Sequence, residues 1–304
     1  MNGTHTDGDG WTQCALGHRH WGRFGAAGLL VYTVDDAGVA RVLMQLRSGF
    51  SHHGDTWGIP GGARGGAEDA AAAACREAVE EAGLDTTALR IRRRHVDDHG
   101  GWAYVTVVAD TVAPLPTSPN AESADLQWRD VDQVHALPLH PGFAATWPRL
   151  RARPVSLVVD VANVLGADPF RWSAAGWWRD RRGATAALLV ELDRLRGRTT
   201  RSAAGDAVVI RQVVAVLEGV ARAAGSDRSG WVRAYPSPGS GDDAVVEVAA
   251  GLSDAIVVTA DAGLRRRVTA AAVAADRADL AGPRWLLGEL DAPDVKGVAP
   301  GADP

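Results

Sequence analysis

Residues Gly62–Leu84 read GARGGAEDAAAAACREAVEEAGL and carry the strongest pattern in the chain. Glu77, Glu80 and Glu81 are three and four residues apart, so a helix places all three carboxylates on one face. Like charges at this spacing repel each other and destabilise an isolated helix. Because hard cations such as Mg²⁺ and Mn²⁺ prefer carboxylate oxygens, the spacing predicts a metal-binding helix face.

The residues around this face predict where the helix begins and ends. Ala70–Ala74 are strong helix formers, and they follow Glu68, whose charge suits a helix N-terminus. Gly83 occupies the position at which a left-handed residue ends a helix. Upstream, Trp57–Gly62 (WGIPGG) predicts a tight turn whose glycines let a ligand approach the backbone closely.

Seven positions of the stretch resemble the Nudix box, G-x(5)-E-x(7)-R-E-U-x-E-E-x-G-U, in which U is aliphatic. They are Gly62, Glu68, Arg76, Glu77, Glu80, Glu81 and Gly83. Ala78 and Leu84 occupy the two U positions, and Ala78 is small for its position. The resemblance covers about residues 20–150 and implies an αβα sandwich with a mixed sheet.

The resemblance also implies a reaction, in which water attacks a phosphorus of a nucleoside diphosphate linked to another group, X. Mg²⁺ or Mn²⁺ would be the cofactor, and Arg76 would orient Glu77. A further acid from a later loop often completes such a site, and Glu122 in PNAESADLQW is the candidate, with Asp125 as the alternative. The implied catalytic residues are Glu80, Glu77, Arg76 and Glu68, and the implied metal ligands are the Gly61 carbonyl, Glu77, Glu80, Glu81 and Glu122.

Length and composition predict a soluble protein of two domains. The chain has 304 residues, 46% of them hydrophobic and 23% charged, and a net charge of −5 that gives no general attraction to nucleic acid. The first residues lack the pattern of a secretory signal, and no apolar run has membrane-spanning length. We therefore expect a cytoplasmic protein with no membrane contact; the sequence does not predict its oligomeric state.

Cys14, His18 and His20 in CALGHRHWG raise the question of a zinc site. A structural zinc ion needs four ligands, and only three lie close together in this stretch. We therefore expect a packed N-terminal segment whose histidines have hydrogen-bond partners.

The first domain is predicted to span residues 1–150 and to contain a β-hairpin formed by Ala26–Val31 and Ala40–Gln45. Further strands are predicted at Trp102–Ala109 and Leu126–Trp128, and a closing helix within Val134–Pro154. Nudix substrate choice depends on loops outside the box. The plausible neighbours of a base or sugar are Trp57, Trp102, Trp128 and His140.

The second domain is predicted to span residues 155–290, with strands that alternate with helices. This order indicates a three-layer α/β domain with a parallel sheet. Strands are expected at Val155–Val159, Ala207–Val216, Val232–Tyr235 and Ala255–Thr259, helices at Ala184–Leu195, Asp242–Ala250 and from Leu264, and a final apolar stretch at Trp285–Leu287. The tail, residues 291–304, is predicted to be disordered.

Acidic residues stand at the predicted strand ends of this second domain: Asp160, the pair Asp242 and Asp243, and Asp261. The carboxyl ends of parallel strands meet at one edge of a sheet, so these acids can converge and bind a divalent metal that cuts phosphodiesters. Aspartate is also a common helix N-cap, and Asp242 and Asp261 can be read that way.

The motifs VVDVANV, DDAVV and VVTADA, in this order, resemble the PIN-like nucleases, closest to their NYN branch. The resemblance spans about residues 155–290 and implies metal binding by Asp160 with Asn163, by Asp242 or Asp243, and by Asp261. Members often add another acid from an intermediate helix, for which Glu191 is a candidate or else a surface residue.

Arginine clusters suggest RNA as a partner of the second domain, since arginines beside aromatic side chains contact phosphates and bases. Arg179–Arg182, next to Trp177, and Arg265–Arg267 are the two clusters of interest, whereas Arg92–Arg94 is read as structural. Such runs are also common on solvated faces.

The predicted function is a Nudix pyrophosphohydrolase that cleaves a nucleoside diphosphate linked to X in nucleotide pool clean-up, with an appended PIN-like domain as a second phosphodiesterase. One alternative is an RNA-processing enzyme that combines removal of a 5′ cap with RNA cleavage. The other is a nucleotide-sensing, RNA-binding protein whose second domain is inactive.

Overall fold

The computed structural model of the chain describes residues 7–224, 231–272 and 278–297. It divides into two units, Met1–Arg151 with Asp294–Pro304 and Ala152–Pro293. The division after Arg151 falls between the predicted domains, residues 1–150 and 155–290.

The first unit contains a small hairpin and a larger mixed sheet. Its strands are β1 (Trp11–Gln13), β2 (Arg19–Trp21), β3 (Ala26–Val34), β4 (Ala40–Arg47), β5 (Trp57–Gly58), β6 (Gly61–Ala63), β7 (Arg90–Asp98), β8 (Ala103–Asp110) and β9 (Ser123–Asp130), and its helices are α1 (Ala70–Ala82) and α2 (Pro141–Leu150). Among the described residues, β1 and β2 pair only with each other. β3 is parallel to β8, and the other described pairs of this unit are antiparallel. The expected β3–β4 hairpin, the two later strands and the closing helix are confirmed.

Strand β3 lies at the centre of this unit and is buried at every position. Successive side chains of a strand point to opposite faces, so both faces of β3 must be covered. On one face, Leu29 and Val31 pack against the alanines of α1. On the other, the Tyr32 hydroxyl donates a hydrogen bond to the carbonyl of Leu150, at the end of α2 (3.0 Å).

Helix α1 begins and ends where the sequence predicts. The Asp69 carboxylate accepts a hydrogen bond from the Ala71 N–H (3.0 Å), as an N-cap does. Gly83 ends the helix with a φ of +61°, a conformation that glycine adopts at little cost. The alanines between these ends are buried, so they let the helix approach the sheet closely.

The second unit is a sheet with helices on both faces. In chain order its elements are β10 (Arg153–Asp160), α3 (Val161–Ala167), α4 (Arg181–Asp193), β11 (Thr199–Arg201), β12 (Ala207–Leu217), β13 (Val232–Pro236), α5 (Gly241–Ala250), β14 (Ala255–Val258), α6 (Ala262–Ala272), β15 (Ala278–Ala281) and α7 (Pro283–Asp291). β13, β12, β10, β14 and β15 pair in parallel in that order, and β11 pairs antiparallel with the first part of β12. α3 and β15 were not expected from the sequence, and the apolar stretch Trp285–Leu287 lies in α7.

The side chains of β10 show how the layers are arranged. Leu157 and Val159 belong to one buried cluster with residues of α3, α4 and α7. Val158, between them, belongs to another cluster with residues of α5 and α6. The sheet is therefore the middle of three layers. Within the described ranges, none of the helices has the length and apolar character needed to cross a membrane.

The tail prediction is wrong for residues 291–297. Asp291 ends α7, and a last strand, β16 (Val295–Lys296), pairs antiparallel with β7 in the first unit. Asp294 accepts a hydrogen bond from Arg92 (2.9 Å), and the Gly297 N–H donates to the Leu89 carbonyl (3.2 Å). Backbone pairing and this ion pair order a segment whose own composition is too polar to predict it. Residues 298–304 lie outside the described ranges.

Candidate active site

The acidic face of α1 lies against strand β6. The Gly61 N–H donates a hydrogen bond to the Glu81 carboxylate (2.9 Å). A Cβ at Gly62 would lie 2.5 Å from Oε1 of Glu77, closer than real contacts allow. Any larger residue at this position would displace the Glu77 carboxylate, which agrees with the glycine at the start of the sequence pattern.

Arg76 joins the acidic face to the loop that precedes the helix. Its guanidinium donates to both oxygens of Glu68 (3.0 and 3.1 Å), to Glu77 (2.8 Å) and to the carbonyl of Ala63 (3.0 Å), and Glu80 lies 3.4 Å away. Burial raises the pKa of Glu68, but the hydrogen bonds from Arg76 and from the Gly65 N–H outweigh this effect and lower the pKa below its usual value. Arg76 therefore fixes the position of Glu77 and keeps Glu68 ionised.

Glu81 is buried and Glu77 is partly buried in this site. Burial raises the pKa of Glu77 to about 7, with Arg76 opposing this shift and the charges of Glu80 and Glu122 adding to it. Burial also raises the pKa of Glu81 to about 8, helped by the charge of Glu77 and opposed by the Gly61 hydrogen bond. One arginine does not offset the negative charge gathered here.

These properties fit a divalent cation. A bound Mg²⁺ or Mn²⁺ would stabilise the ionised forms of Glu77 and Glu81, whose carboxylate oxygens are the ligands that these ions prefer. Glu122 is exposed, yet it is close enough to raise the pKa of Glu77 and of Glu81. Asp125 instead accepts a hydrogen bond from the Leu126 N–H (2.8 Å) and does not line the cavity. The structure therefore favours Glu122 over Asp125.

The acidic face opens into a cavity of about 690 Å³, a size common for small-molecule sites. Carboxylates form one wall, and aromatic and histidine side chains form much of the rest. The aromatic and histidine residues of the wall are Trp11, His20, Trp21, Phe50, His52, His53, Trp102, Tyr104 and His140.

Two of the four expected substrate neighbours, Trp102 and His140, line this cavity. Trp57 is buried beneath the guanidinium of Arg129, and Trp128 packs against the core beneath α1, so neither reaches the cavity. Burial, together with neighbouring His53, Arg47 and His52, lowers the pKa of His140 to about 4, so its imidazole is neutral at pH 7.

The sequence did not indicate Trp11, Trp21 or Phe50 as part of the site. Their side chains remain 46%, 45% and 77% exposed, which is unusual for large aromatic residues. Three exposed rings at the mouth of a polar cavity form a surface on which a flat base can stack. The available signal was the tryptophan pair that flanks the Cys14–His20 stretch, which the sequence analysis assigned to packing.

The second unit also has an acidic cleft, with a volume of about 260 Å³. Asp160 ends β10, Asp261 follows β14, and Asp242 lies in the first turn of α5. Glu218, the residue after β12, joins them and was not expected. The carboxyl ends of neighbouring parallel strands bring these acids together, as the sequence analysis anticipated for three of the four.

Asp160 is held firmly in this cleft. It accepts hydrogen bonds from the Asn163 N–H (3.1 Å) and from the Thr259 hydroxyl (2.9 Å). Burial raises the pKa of Asp160, with these two hydrogen bonds opposing the shift and the charges of Asp242 and Glu218 adding to it. The amide oxygen of Asn163 accepts from the Ala260 N–H (2.8 Å), so Asn163 fixes the loop that carries Asp261.

The structure separates the remaining candidates of this cleft. Asp243 is exposed and pairs with Arg267, so Asp242, and not Asp243, lines the cleft. Asp261 lines the cleft and also accepts a hydrogen bond from the Leu264 N–H (2.6 Å), in the manner of a helix cap. Glu191 pairs with Arg171 (3.0 Å) and does not line the cleft.

The arginine clusters are used within the protein. Arg265 donates to the carbonyl of Thr259 (3.0 Å), and Arg181 lies over the ring of Trp177 (5.4 Å). Arg92 and Arg94 pair with Asp110 and Asp69 (2.7 and 2.8 Å), in agreement with the structural role expected for that run.

Comparison with known proteins places the first unit in a family. The profile of the NUDIX domain matches residues 23–150. "Putative 8-oxo-dGTP diphosphatase 3" of Mycobacterium tuberculosis is 48% identical over 157 residues, which make up 50% of this chain and 72% of that protein. The "Nucleoside triphosphate pyrophosphatase/Nudix hydrolase fusion protein" of Bifidobacterium longum is 38% identical over 158 residues, 50% of this chain and 33% of that protein.

A solved structure adds a further likeness. The crystal structure of the Nudix hydrolase RenU from M. smegmatis has 50% sequence identity, a TM-score of 0.46, and coverage of 47% of this chain and 93% of its own. The NUDIX profile and the identity across most of the M. tuberculosis protein decide the assignment. The chain belongs to the Nudix hydrolase family through its first unit.

Proposed function

We propose that the first unit is a metal-dependent pyrophosphohydrolase that cleaves a nucleoside diphosphate linked to X and acts in nucleotide pool clean-up. The observation that carries the proposal is the placement of the buried Glu81 and the partly buried Glu77 on the wall of a cavity that also offers exposed aromatic rings. Such a cavity can hold phosphates at one end and a base at the other.

The roles of the site residues follow from their contacts. Glu77, Glu80, Glu81, Glu122 and the carbonyl of Gly61 would hold Mg²⁺ or Mn²⁺, which when bound neutralises phosphate charge and acidifies water.

Arg76 positions Glu77 through the 2.8 Å hydrogen bond, and Glu68 in turn fixes Arg76.

The substrate is a nucleotide whose base stacks on the exposed rings. Trp11 and Trp21 face each other edge to face, with ring centroids 5.7 Å apart, at the cavity mouth. The name of the M. tuberculosis relative makes an oxidised deoxyguanosine triphosphate the first compound to test. A dinucleotide, a nucleotide sugar and a canonical triphosphate complete the test set.

The experiment incubates the purified chain with this set and Mg²⁺ or Mn²⁺, and resolves the products by mass. A nucleoside monophosphate is the expected product, and Glu80→Gln is expected to abolish its formation. Glu247→Gln, an exposed helical glutamate of the second unit, is the matched control and should be fully active. Full activity in Glu80→Gln, or binding of nucleotides with no turnover, would contradict the proposal and favour a nucleotide sensor.

A second activity is proposed for the other unit, a PIN-like, NYN-type nuclease that cuts RNA. The carrying observation is the cleft in which Asp160, Asp242, Asp261 and Glu218 gather at the strand ends. Carboxylates so arranged would hold Mg²⁺ or Mn²⁺, and burial, with the charges of Asp242 and Glu218, raises the pKa of Asp160 in this cleft. Asn163 acts here as a positioning residue.

Cleavage of a labelled single-stranded RNA in Mg²⁺ or Mn²⁺ tests this activity. Asp160→Asn is expected to remove cleavage, and Asp243→Asn to retain it, because Asp243 points to Arg267 rather than into the cleft. Absence of cleavage with either metal would make the second unit an inactive module. Release of a 5′ cap by the first unit, together with RNA cleavage by the second, would instead support RNA processing.

A further inference from the structure

Four metal-binding side chains converge beside the β1–β2 hairpin. Cys14 and His18 lie in the hairpin loop, His20 lies on β2, and His99 comes from the loop between β7 and β8. One donor atom from each lies within 4.8 Å of the others. We propose that Cys14, His18, His20 and His99 bind one zinc ion, which fixes this hairpin as a wall of the nucleotide cavity.

The backbone of the hairpin holds the first two ligands in place. The Cys14 N–H donates to the carbonyl of His18 (3.0 Å), and the Gly17 N–H donates to the carbonyl of Cys14 (3.0 Å). Gly17 has a φ of +81°, which the tight loop requires and glycine accommodates. The Ala15 N–H donates to the carbonyl of Gly100 (2.8 Å), so the same loop is tied to the segment that carries His99.

The rings of His20 and His99 are oriented, yet each keeps a buried nitrogen without a partner. His20 stacks on Trp102, with centroids 3.9 Å apart and planes at 10°. Nε2 of His99 lies 3.6 Å from the Asp97 carboxylate, an arrangement that commonly orients metal-binding histidines. Among the described residues, Nε2 of His20 and Nδ1 of His99 have no hydrogen-bond partner. This result contradicts the expectation of satisfied histidines and leaves two donors for an ion.

The ligand set selects zinc over the ions of the active site. One thiolate and three imidazoles match the sulfur and nitrogen ligands of tetrahedral zinc, whereas Mg²⁺ requires oxygen ligands. Bonds of 2.0–2.3 Å separate tetrahedral donors by roughly 3.3–3.8 Å, so donor atoms that lie within 4.8 Å of one another need to move together by no more than about 1.5 Å. Exposed His18 can move inward to make this adjustment, while buried Cys14 stays in place.

A metal ion at this place would stabilise the β1–β2 hairpin. β1 and β2 have three residues each and, in the part of the chain that the structure describes, pair with no other strand; a two-stranded hairpin by itself is marginally stable. This hairpin carries Trp11, Arg19 and Trp21 to the wall of the cavity of about 690 Å³. Zinc would therefore hold the base-stacking rings in position without touching the acidic face of α1.

A second cluster has to be separated from this one in any test. His52, His53 and His140 also bring donor atoms within 4.8 Å of one another, but they offer no thiolate. Co²⁺ in place of zinc distinguishes the two clusters, because a bound cysteine thiolate gives a charge-transfer absorption that a histidine-only site does not.

The test uses the full chain without an affinity tag, stripped of metal and then given one equivalent of Zn²⁺ or Co²⁺. After gel filtration, we expect about one zinc ion per chain by elemental analysis, falling to about a tenth of that in Cys14→Ser and in His99→Gln. The thiolate–cobalt band should vanish in Cys14→Ser. Cys75→Ser, the chain's other buried cysteine, and His135→Gln, an exposed histidine, should retain both signals.

Asp97→Asn keeps all four ligands, so it tests the proposal even if the variants that lack a ligand fail to fold. Its zinc affinity should fall about 10–100-fold, since a carboxylate behind a metal-binding histidine has an effect of this size. Zinc absent from the wild-type chain, a cobalt complex without the thiolate band, or a band that survives in Cys14→Ser would each overturn the proposal. In a turnover assay, which rests on the proposed function, loss of zinc should raise KM more than it lowers kcat.

Discussion

The two acidic sites of this protein are built in opposite ways. In the first unit, Glu77, Glu80 and Glu81 come from one helix, and Arg76 on the same helix positions them. In the second unit, each acid comes from a different connection, after β10, β12 or β14 or at the start of α5. The residues of a site on one helix can be recognised from their spacing in the sequence, whereas the residues of a site at a sheet edge are brought together by the order of the strands.

Burial differs between the sites as well. Glu81 is 4% exposed and Glu77 is partly buried, whereas in the second cleft Asp160 and Asp242 are partly buried and Glu218 and Asp261 are exposed. Ionised carboxylates are therefore less well solvated in the first site, and a divalent ion stabilises them more strongly there. We expect metal removal and substitution to affect the first unit more strongly than the second.

The largest effects are expected from substituting one carboxylate of each site, Glu80 or Asp160, and comparing both activities in each variant. Glu80→Gln should lower kcat for nucleotide hydrolysis by at least about 10³-fold, because an acidic metal ligand is lost. RNA cleavage in the same variant should stay at the wild-type rate, and Asp160→Asn should show the reverse pattern. Both reactions are followed on one preparation of each variant. If Glu80→Gln reduced both, the sites would not be independent.

Gly62→Ala tests how tightly the first site is packed. The added methyl would meet the Glu77 carboxylate at 2.5–2.8 Å, so the carboxylate must shift, and we expect kcat/KM to fall about 100-fold. Steady-state kinetics measures the fall, and the melting temperature shows that the fold is kept. Gly288→Ala, where a Cβ meets nothing within 4 Å, is the matched control. Normal activity of Gly62→Ala would show that Glu77 need not stay where it lies.

The stability of the metal-free protein should depend on pH through Glu81. Its pKa is about 8 in the folded state against an ordinary 4.5, so between these values the folded state binds more protons than the unfolded chain. The free energy of unfolding in EDTA therefore falls as pH rises from 4.5 to 8. Glu81→Gln removes this titration and should be more stable than wild type at pH 8 by on the order of 2 kcal/mol, and nearly equal at pH 4.5.

Denaturant unfolding in EDTA at the two pH values measures this difference, with Glu247→Gln as the exposed control. Added Mg²⁺ should reverse the order at pH 8, because it stabilises the ionised wild-type carboxylate. A Glu81→Gln protein that is less stable than wild type at pH 8 in EDTA would contradict the burial argument.

The smallest effect is expected at the cavity mouth. Phe50→Ala should raise KM about tenfold with little change in kcat, since stacking of one base on an aromatic ring has about this value. Phe170→Ala removes a comparably exposed ring, 60% against 77%, from the second unit and should leave KM unchanged. An unaltered KM in Phe50→Ala would remove this ring from the substrate site.

The limits of prediction from sequence can be seen in particular elements. The β3–β4 hairpin and α1 were predicted because apolar runs, a turn and a helix-ending glycine follow one another locally. α3 was missed because VANVLGA is only seven residues long and follows the apolar run of β10 after a single acidic residue, Asp160. The β16 strand was missed because its order comes from β7 and from the pair between Arg92 and Asp294.

The same limit applies to the residues of the candidate sites. Glu218 and His99 were missed because each completes its cluster from a distant part of the chain. Glu122 could be proposed from sequence only through the family resemblance, and the charge that it exerts on Glu77 and Glu81 became visible in the folded chain.

By itself, the sequence determined the acidic helix, its Arg76 and the glycines around it, because helical spacing and capping act over a few residues. The tertiary structure decided which acids meet at the strand ends of the second unit, and it brought His99 to Cys14, His18 and His20. It also selected Trp11, Trp21 and Phe50 as the cavity mouth. The physical reason is that these contacts depend on strand order and loop packing, which no local spacing encodes.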